Sequence, residues 1–188
     1  MKFRVLLIVY IITLPLLKAQ TGATFPNLSG QTLVDKSLTI PIDTKGKVTL
    51  IALAYSPKSD KYLKDWLEPI YRNFINPPSS TFMPSIPYDV NIYFVALLKG
   101  LAKTAKGKVQ SNLNKNLDPD YHKHTLISKE DFKPLKKALG FGRKDNPYFY
   151  VLDADGKILY NTEGVYTRYK MQEIVNQVDK HSNRYSEQ

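Results

Sequence analysis

The residues best placed for chemistry lie in YSPKSDK, residues 55–61, between the apolar run KVTLIALAY (47–55) and a helical pattern containing Trp66. A short polar loop that carries a strand into a helix exposes its side chains on a rigid scaffold, and α/β proteins often place their sites there. Ser56 and Ser59 would be the nucleophiles of a hydrolytic reaction. That chemistry needs a general base within hydrogen-bond reach, and no G-x-S-x-G elbow is present to expose the serine. Ser59 reads instead as the N-cap of the helix that follows. Lys58, Lys61 and Lys64 give the loop a positive rim at a helix N-terminus, a setting that suits an anion or an acidic peptide. His122 and His124 in YHKHT share one side if that segment is extended, but two ligands are too few to fix a metal and the chain has no cysteine to complete the set. The reading therefore expects no catalytic residue, no metal and no cofactor.

The frame around these loops is legible from periodicity. TFPNLSGQTLVDKSLTIPID (24–43) predicts two short strands with turns at Ser29-Gly30 and Asp35-Lys36, and the unbroken apolar run 48–55 predicts a strand covered on both faces. Leu63, Trp66, Leu67, Ile70 and Phe74 recur at helical spacing, with Pro69 expected to kink the helix. NPPSSTFMPSIP (76–87) predicts an irregular loop and DVNIYFVALL (89–98) a strand. A basic amphipathic helix follows: Leu98, Leu101, Ala102, Ala105, Val109 and Leu113 form its stripe and five lysines between 99 and 115 crowd the rest. Past the turn LDPD (117–120), HTLI (124–127) predicts a strand. SKED (128–131) predicts a helix start, with Phe132, Leu135 and Leu139 inward and Gly140 at the end. NPYFYVLDADGKILYNTEG (146–164) predicts a hairpin turning at Asp155-Gly156, with Tyr148, Tyr150 and Tyr160 on one sheet face, and a last helix spans about 167–180. Crossover helices between strands require a mainly parallel centre, and the final hairpin adds an antiparallel edge.

The opening MKFRVLLIVYIITLPLLKAQ has Lys2 and Arg4 before an apolar stretch and then the small residue Ala19, which predicts a signal peptide over 1–19. One domain over 20–182 and a flexible tail at 183–188 follow, and 188 residues with 43 % hydrophobic content fit a single core. The expected location is the periplasm or outside the cell. The formal charge is +10, or +7 without residues 1–19, a balance that favours an acidic or membrane-associated protein partner, or contact with a membrane surface, over nucleic acid for an exported protein. Oligomeric state is left open.

FPNLSGQTL, KGKVTLIALAY, the helix bearing Pro69 and NPYFYVLDADGKILYNTEG together resemble the thioredoxin-like superfamily, especially its exported and peroxiredoxin-related members. More narrowly, KVTLIALAY, DWLEPIY, DYHKHTLI and PYFYVLDADGKI look like the thioredoxin-fold assembly chaperones of the mitochondrial ATP synthase and their bacterial relatives. The resemblance implies a three-layer α/β/α sandwich on a mixed sheet, with an N-terminal strand pair and a C-terminal β-hairpin. It implies a degenerate redox loop at Ser56, Pro57, Lys58, Ser59 and Lys61; the lost Cys-x-x-Cys falls on Ser56/Ser59, Lys58/Lys61 or Lys61/Lys64 according to how the loop is counted. It implies a cis-proline at Pro147 and a peptide groove rimmed by Tyr55, Lys58, Asn146 and Pro147. No register supplies a thiolate, so thiol-disulfide exchange is lost. The function expected is a non-catalytic binder of a partner protein: an assembly factor, holdase or scaffold. The alternatives are a thioredoxin-like or peroxiredoxin-like oxidoreductase relative and a small-anion binder using the lysine-rimmed loop.

Overall fold

The computed structural model describes residues 21–78, 88–98, 100–143 and 145–182, and the side chains of all of these except 101 and 102. The expected leader 1–19, the greater part of the Pro/Ser-rich loop 76–87 and the tail 183–188 lie outside the described residues. The chain runs through β1 (Leu28–Thr32), β2 (Ser37–Ile40), β3 (Val48–Ala54), α1 (Pro57–Ile70), β4 (Val90–Leu97), α2 (Lys106–Asn116), β5 (Thr125–Ser128), α3 (Phe132–Leu139), β6 (Tyr148–Leu152), β7 (Ile158–Glu163) and α4 (Arg168–His181). This is the order expected from periodicity.

The strands form one seven-stranded sheet in the order β2-β1-β5-β4-β3-β6-β7. β3, β4 and β5 are parallel, and β1, β2, β6 and β7 join antiparallel. All seven residues of β3 are buried, because α1 and α4 cover one face while α3 and the N-terminal segment cover the other. Its side chains alternate accordingly: Leu50 and Ala52 belong to one apolar layer with Trp66, Ile70 and Met171, whereas Ile51 and Leu53 belong to the other with Leu135 and Leu139.

Several local expectations are corrected. Gly30 lies inside β1 rather than in a turn: a Cβ there would sit 2.7 Å from Leu126 Cγ and 2.8 Å from the Ile127 carbonyl oxygen, so the glycine permits close approach to β5. At Pro69, where a kink is expected, the regular helix gives way: α1 closes at Ile70 and the backbone passes at Tyr71 into a π-helical turn, Tyr71–Ile75. SKED does not open a helix, because Ser128 is the last residue of β5 and donates its hydroxyl to the Ser29 carbonyl (2.7 Å); Asp131 is the N-cap of α3. The basic segment splits into a 3-10 turn, Gly100–Lys103, and α2, of which no residue is fully buried. Tyr160 pairs with Val151 and packs on the α1/α4 face, opposite to Tyr148 and Tyr150, since a bulge at Val151/Leu152 shifts the register of β7. The cis peptide bond among the described residues is Ile40–Pro41, not Asn146–Pro147: the chain enters β6 from a turn closed by the Asn146 N–H on the Arg143 carbonyl (3.2 Å).

The YHKH of YHKHT is helical rather than extended, lying within the 3-10 turn Pro119–His124, and Thr125 opens β5, so the two histidines do not share a side. His122 Nε2 lies 3.1 Å from the Leu117 carbonyl oxygen and His124 Nδ1 lies 3.1 Å from that of Ile92. With His124 donating from Nδ1, its buried Nε2 is left without a partner.

Two outcomes are expected. Gly156 adopts φ +86°, and a Cβ there would come within 2.5 Å of Pro41 Cβ. Gly156→Ala should therefore lower stability by about 1–2 kcal/mol for the left-handed backbone and further for the clash, read from urea unfolding. Burial and the neighbouring Lys123 hold the His124 imidazole below its ordinary 6.5. The unfolded chain then binds the extra proton first, so stability is fully present above about pH 6.5 and falls on acidification below it. His124→Asn, which keeps a donor at the Nδ1 place, should remove that part of the pH dependence.

Candidate functional site

The strand-to-helix loop is held by two serines that cap each other. Ser56 is the N-cap of α1 and Ser59 its third residue: Ser56 Oγ accepts from the Ser59 N–H (3.1 Å), and Ser59 Oγ accepts from the N–H groups of Tyr55 (3.0 Å) and Ser56 (2.9 Å). Ser59 Oγ also donates to the Ser56 carbonyl (2.8 Å), and the two hydroxyl oxygens, Ser56 Oγ and Ser59 Oγ, lie 3.1 Å apart. The expected cap at Ser59 is thus corrected to Ser56, because Pro57, which has no N–H to lose, opens the helix. Ser59 is completely buried with its hydroxyl saturated, and it has no lone pair or approach path left for attack on a substrate.

Beneath the loop lies an aromatic bed. Tyr55 is 5 % exposed and packs against Phe132, Phe141 and Tyr148, at ring-centroid distances of 4.7, 5.5 and 6.1 Å. It belongs to the core and not to a groove rim. Burial raises the Tyr55 hydroxyl above its ordinary range, opposed by its hydrogen bonding with Tyr148; burial raises Tyr148 as well, opposed by its bond to the Arg143 backbone and aided by Glu163. The Tyr148 hydroxyl accepts from the Arg143 N–H (2.7 Å) and donates to the Arg143 carbonyl (3.0 Å), which fixes the segment leading to Asn146 and Pro147.

Lys58 crosses to that segment and pairs with Asp145 (3.2 Å), which raises the Lys58 ammonium through a hydrogen bond and charge. The loop's positive rim is therefore partly neutralised. Pro57 supplies no donor and the Ser59 N–H is taken by Ser56, so the first turn of α1 offers little to an anion. Asp145 thus brings the segment before Pro147 to the loop, and the β7–α4 connection closes the same end: the Pro147 carbonyl accepts from the Gly164 N–H (2.9 Å), and the buried Trp66 Nε1 donates to the Gly164 carbonyl (3.1 Å). Lys61 is exposed.

Sequence reasoning missed a cleft of about 800 Å³ that opens from the loop between α1 and α2. Its floor is the C-terminal ends of β3 and β4, and its walls are the half-buried Leu63 and Leu67 of α1 and Val109 and Leu113 of α2. Lys64, Asp60, Asn112 and Asn116 are at its polar margin. Desolvation raises the Asp60 carboxyl above the usual carboxylate range, against the pull of Lys64. Both apolar stripes are visible in the sequence; that they face each other across open space is not.

Solved structures with this architecture share little sequence with the chain. BsSco, a member of the Sco family of cytochrome c oxidase assembly proteins, is 12 % identical with TM-score 0.57, covering 88 % of this chain and 96 % of its own. The thioredoxin domain of a thiol-disulfide oxidoreductase from Bacteroides vulgatus is 19 % identical with TM-score 0.51, covering 87 % and 99 %. A thiol:disulfide interchange protein from Bacteroides sp. is 19 % identical with TM-score 0.53, covering 89 % and 93 %. At these identities the likeness shows the fold, which is thioredoxin-like, without its cysteines. No curated relative matches the chain in sequence. The family described as ATP10 protein does match, over residues 9–180, and this agrees with the narrower resemblance carried by KVTLIALAY and PYFYVLDADGKI: the chain belongs to the ATP10 protein family.

Proposed function

We propose that this protein is a non-catalytic assembly factor, exported and cysteine-free, that binds a partner protein at the end of the sheet where thiol-disulfide oxidoreductases of the same fold carry their redox pair. The carrying observation is the Ser56/Ser59 cap. Both hydroxyls are engaged in fixing the turn, so the loop retains its shape while its side chains have no exchangeable bond to offer. Membership of the ATP10 protein family supports an assembly role, and the resemblance to assembly chaperones of the ATP synthase makes a subunit of a membrane-bound complex the first partner to test. Export rests on the leader-like residues 1–19, and the net positive charge favours an acidic partner.

The geometry also favours one register for the lost motif. Ser56 and Ser59 combine a half-exposed N-cap with a buried third residue, their oxygens 3.1 Å apart, whereas Lys58 and Lys61 are both exposed and Lys58 is drawn away to Asp145. Under this reading Ser56→Cys with Ser59→Cys should close a reversible disulfide under mild oxidation, read by thiol titration before and after; two persistently free thiols would argue for another register.

The function is tested by placing a photo-crosslinker at Lys61 in cells, with the same group as control at the exposed Lys136 of α3, which packs on the opposite face of the sheet from α1. Crosslinking of a defined membrane-complex subunit from Lys61 alone, together with loss of the assembled complex when the protein is depleted, is the expected result. Disulfide reductase or peroxidase activity in the purified protein, or equal crosslinking from both positions, would overturn the proposal.

A further inference from the structure

α2 is an amphipathic helix that lacks a complete seat. None of its residues is fully buried; Val109 and Leu113 touch the small cluster of Leu33, Leu98 and Ile127 with part of their surface and turn the remainder to the cleft, facing Leu63 and Leu67 of α1. Two facing rows of half-buried aliphatic side chains, separated by open volume, form the kind of groove into which a helix lays its apolar face. Because the cleft holds about 800 Å³, it has room for the seated side chains of such a helix and not for its body.

The charge around this groove selects the occupant. Between residues 99 and 117 the chain has five lysines and no acidic residue. At 100° per residue, Lys108 and Lys115 fall on one flank of α2, two turns and about 10 Å apart, next to Asn112 at the cleft's margin. Both are exposed, whereas Lys103 is paired with Asp131 and Lys106 is bonded to Gln31. On the α1 wall Lys64 faces Asp60, the one carboxylate among the lining residues. The groove is thus apolar within and cationic along its α2 side.

We infer that the cleft between α1 and α2 receives an acidic amphipathic helix of the partner protein, its apolar stripe seated on Leu63, Leu67, Val109 and Leu113 and its carboxylates facing Lys108 and Lys115. The inference rests on the proposed binding function and names the partner segment. Such a helix presents anchors at i, i+3, i+4 and i+7 with Glu or Asp on one flank, and the charged flank sets its direction and accelerates association.

The test uses a fluorescent peptide of about 15 residues with a leucine stripe at that spacing and a glutamate flank, titrated with the full-length protein and followed by anisotropy. The comparison probes are the same peptide with a lysine flank, a peptide with the stripe scrambled, and vesicles of equal parts phosphatidylglycerol and phosphatidylcholine. The acidic peptide should bind, and raising salt should weaken it. Lys108→Glu with Lys115→Glu, both at exposed positions where folding is not at risk, should weaken it about tenfold and restore binding of the lysine-flanked peptide. Leu113→Glu should abolish binding while its thermal unfolding remains cooperative. Indifference to these substitutions, equal binding of the scrambled peptide, or binding to vesicles but not to peptide would overturn the inference. If the Lys61 crosslink to the partner persists under excess acidic peptide and in Leu113→Glu, the inference fails and the proposed function stands; if no partner crosslinks at all, the proposed function itself fails.

Discussion

β3 is the constraint on which the rest of the structure depends. A strand buried along its whole length must satisfy its backbone on both sides and its side chains on both faces, and it does so between parallel β4 and antiparallel β6, under two separate apolar layers. Where β3 ends, its last backbone donors are still buried and need acceptors. Ser59 Oγ supplies them by taking the N–H groups of Tyr55 and Ser56, so the strand exit and the helix start are held by one hydroxyl. An unpaired donor at either place would cost about 1–3 kcal/mol. The polar residues that look most chemical in the sequence are thus engaged by the strand that precedes them.

That engagement has a consequence for function. The thioredoxin-like frame delivers a helix N-terminus, the Asn146–Pro147 segment and the Gly164 connection to one end of the sheet, and this chain keeps all three joined through Lys58–Asp145, Gly164–Pro147 and Trp66–Gly164. With sulfur absent, what remains at that end is shape and charge. A rigid end of this kind suits recognition of a partner, as the proposed function requires, because little ordering entropy is lost when binding surfaces are already fixed.

Charge is distributed differently from what the loop's three lysines suggest when read alone. Lys58 is paired across the loop with Asp145 and Lys64 stands beside Asp60, which leaves α2, without a single acidic residue, as the cationic element beside the cleft; α3, equally rich in lysine, packs on the other face of the sheet. Sequence neighbours share a charge pattern; only the fold decides which charges are cancelled by residues distant in the chain. The separation of Lys58 and Asp145 by 87 positions is why their pairing could not be read beforehand.

Much was settled by sequence alone. Strict apolar periodicity fixed the order of strands and helices and the two-sided burial of 48–54, Asp and Gly marked the β6–β7 turn, which closes at Asp153–Gly156 with Ala154-Asp155 rather than Asp155-Gly156 at its centre, and the missing cysteines ruled out thiol chemistry, because each of these depends on neighbours within a few positions or on composition. Tertiary structure decided what depends on approach between distant segments. Gly30 is a strand residue because β5 passes against it, Tyr160 changes face because of a bulge between β6 and β7, and Tyr55 is core because α3 and Phe141 close over it. The cleft belongs to the same class: Leu63, Leu67, Val109 and Leu113 are each legible as helix stripe residues, but whether two stripes meet or stand apart is set by where the sheet places α1 and α2.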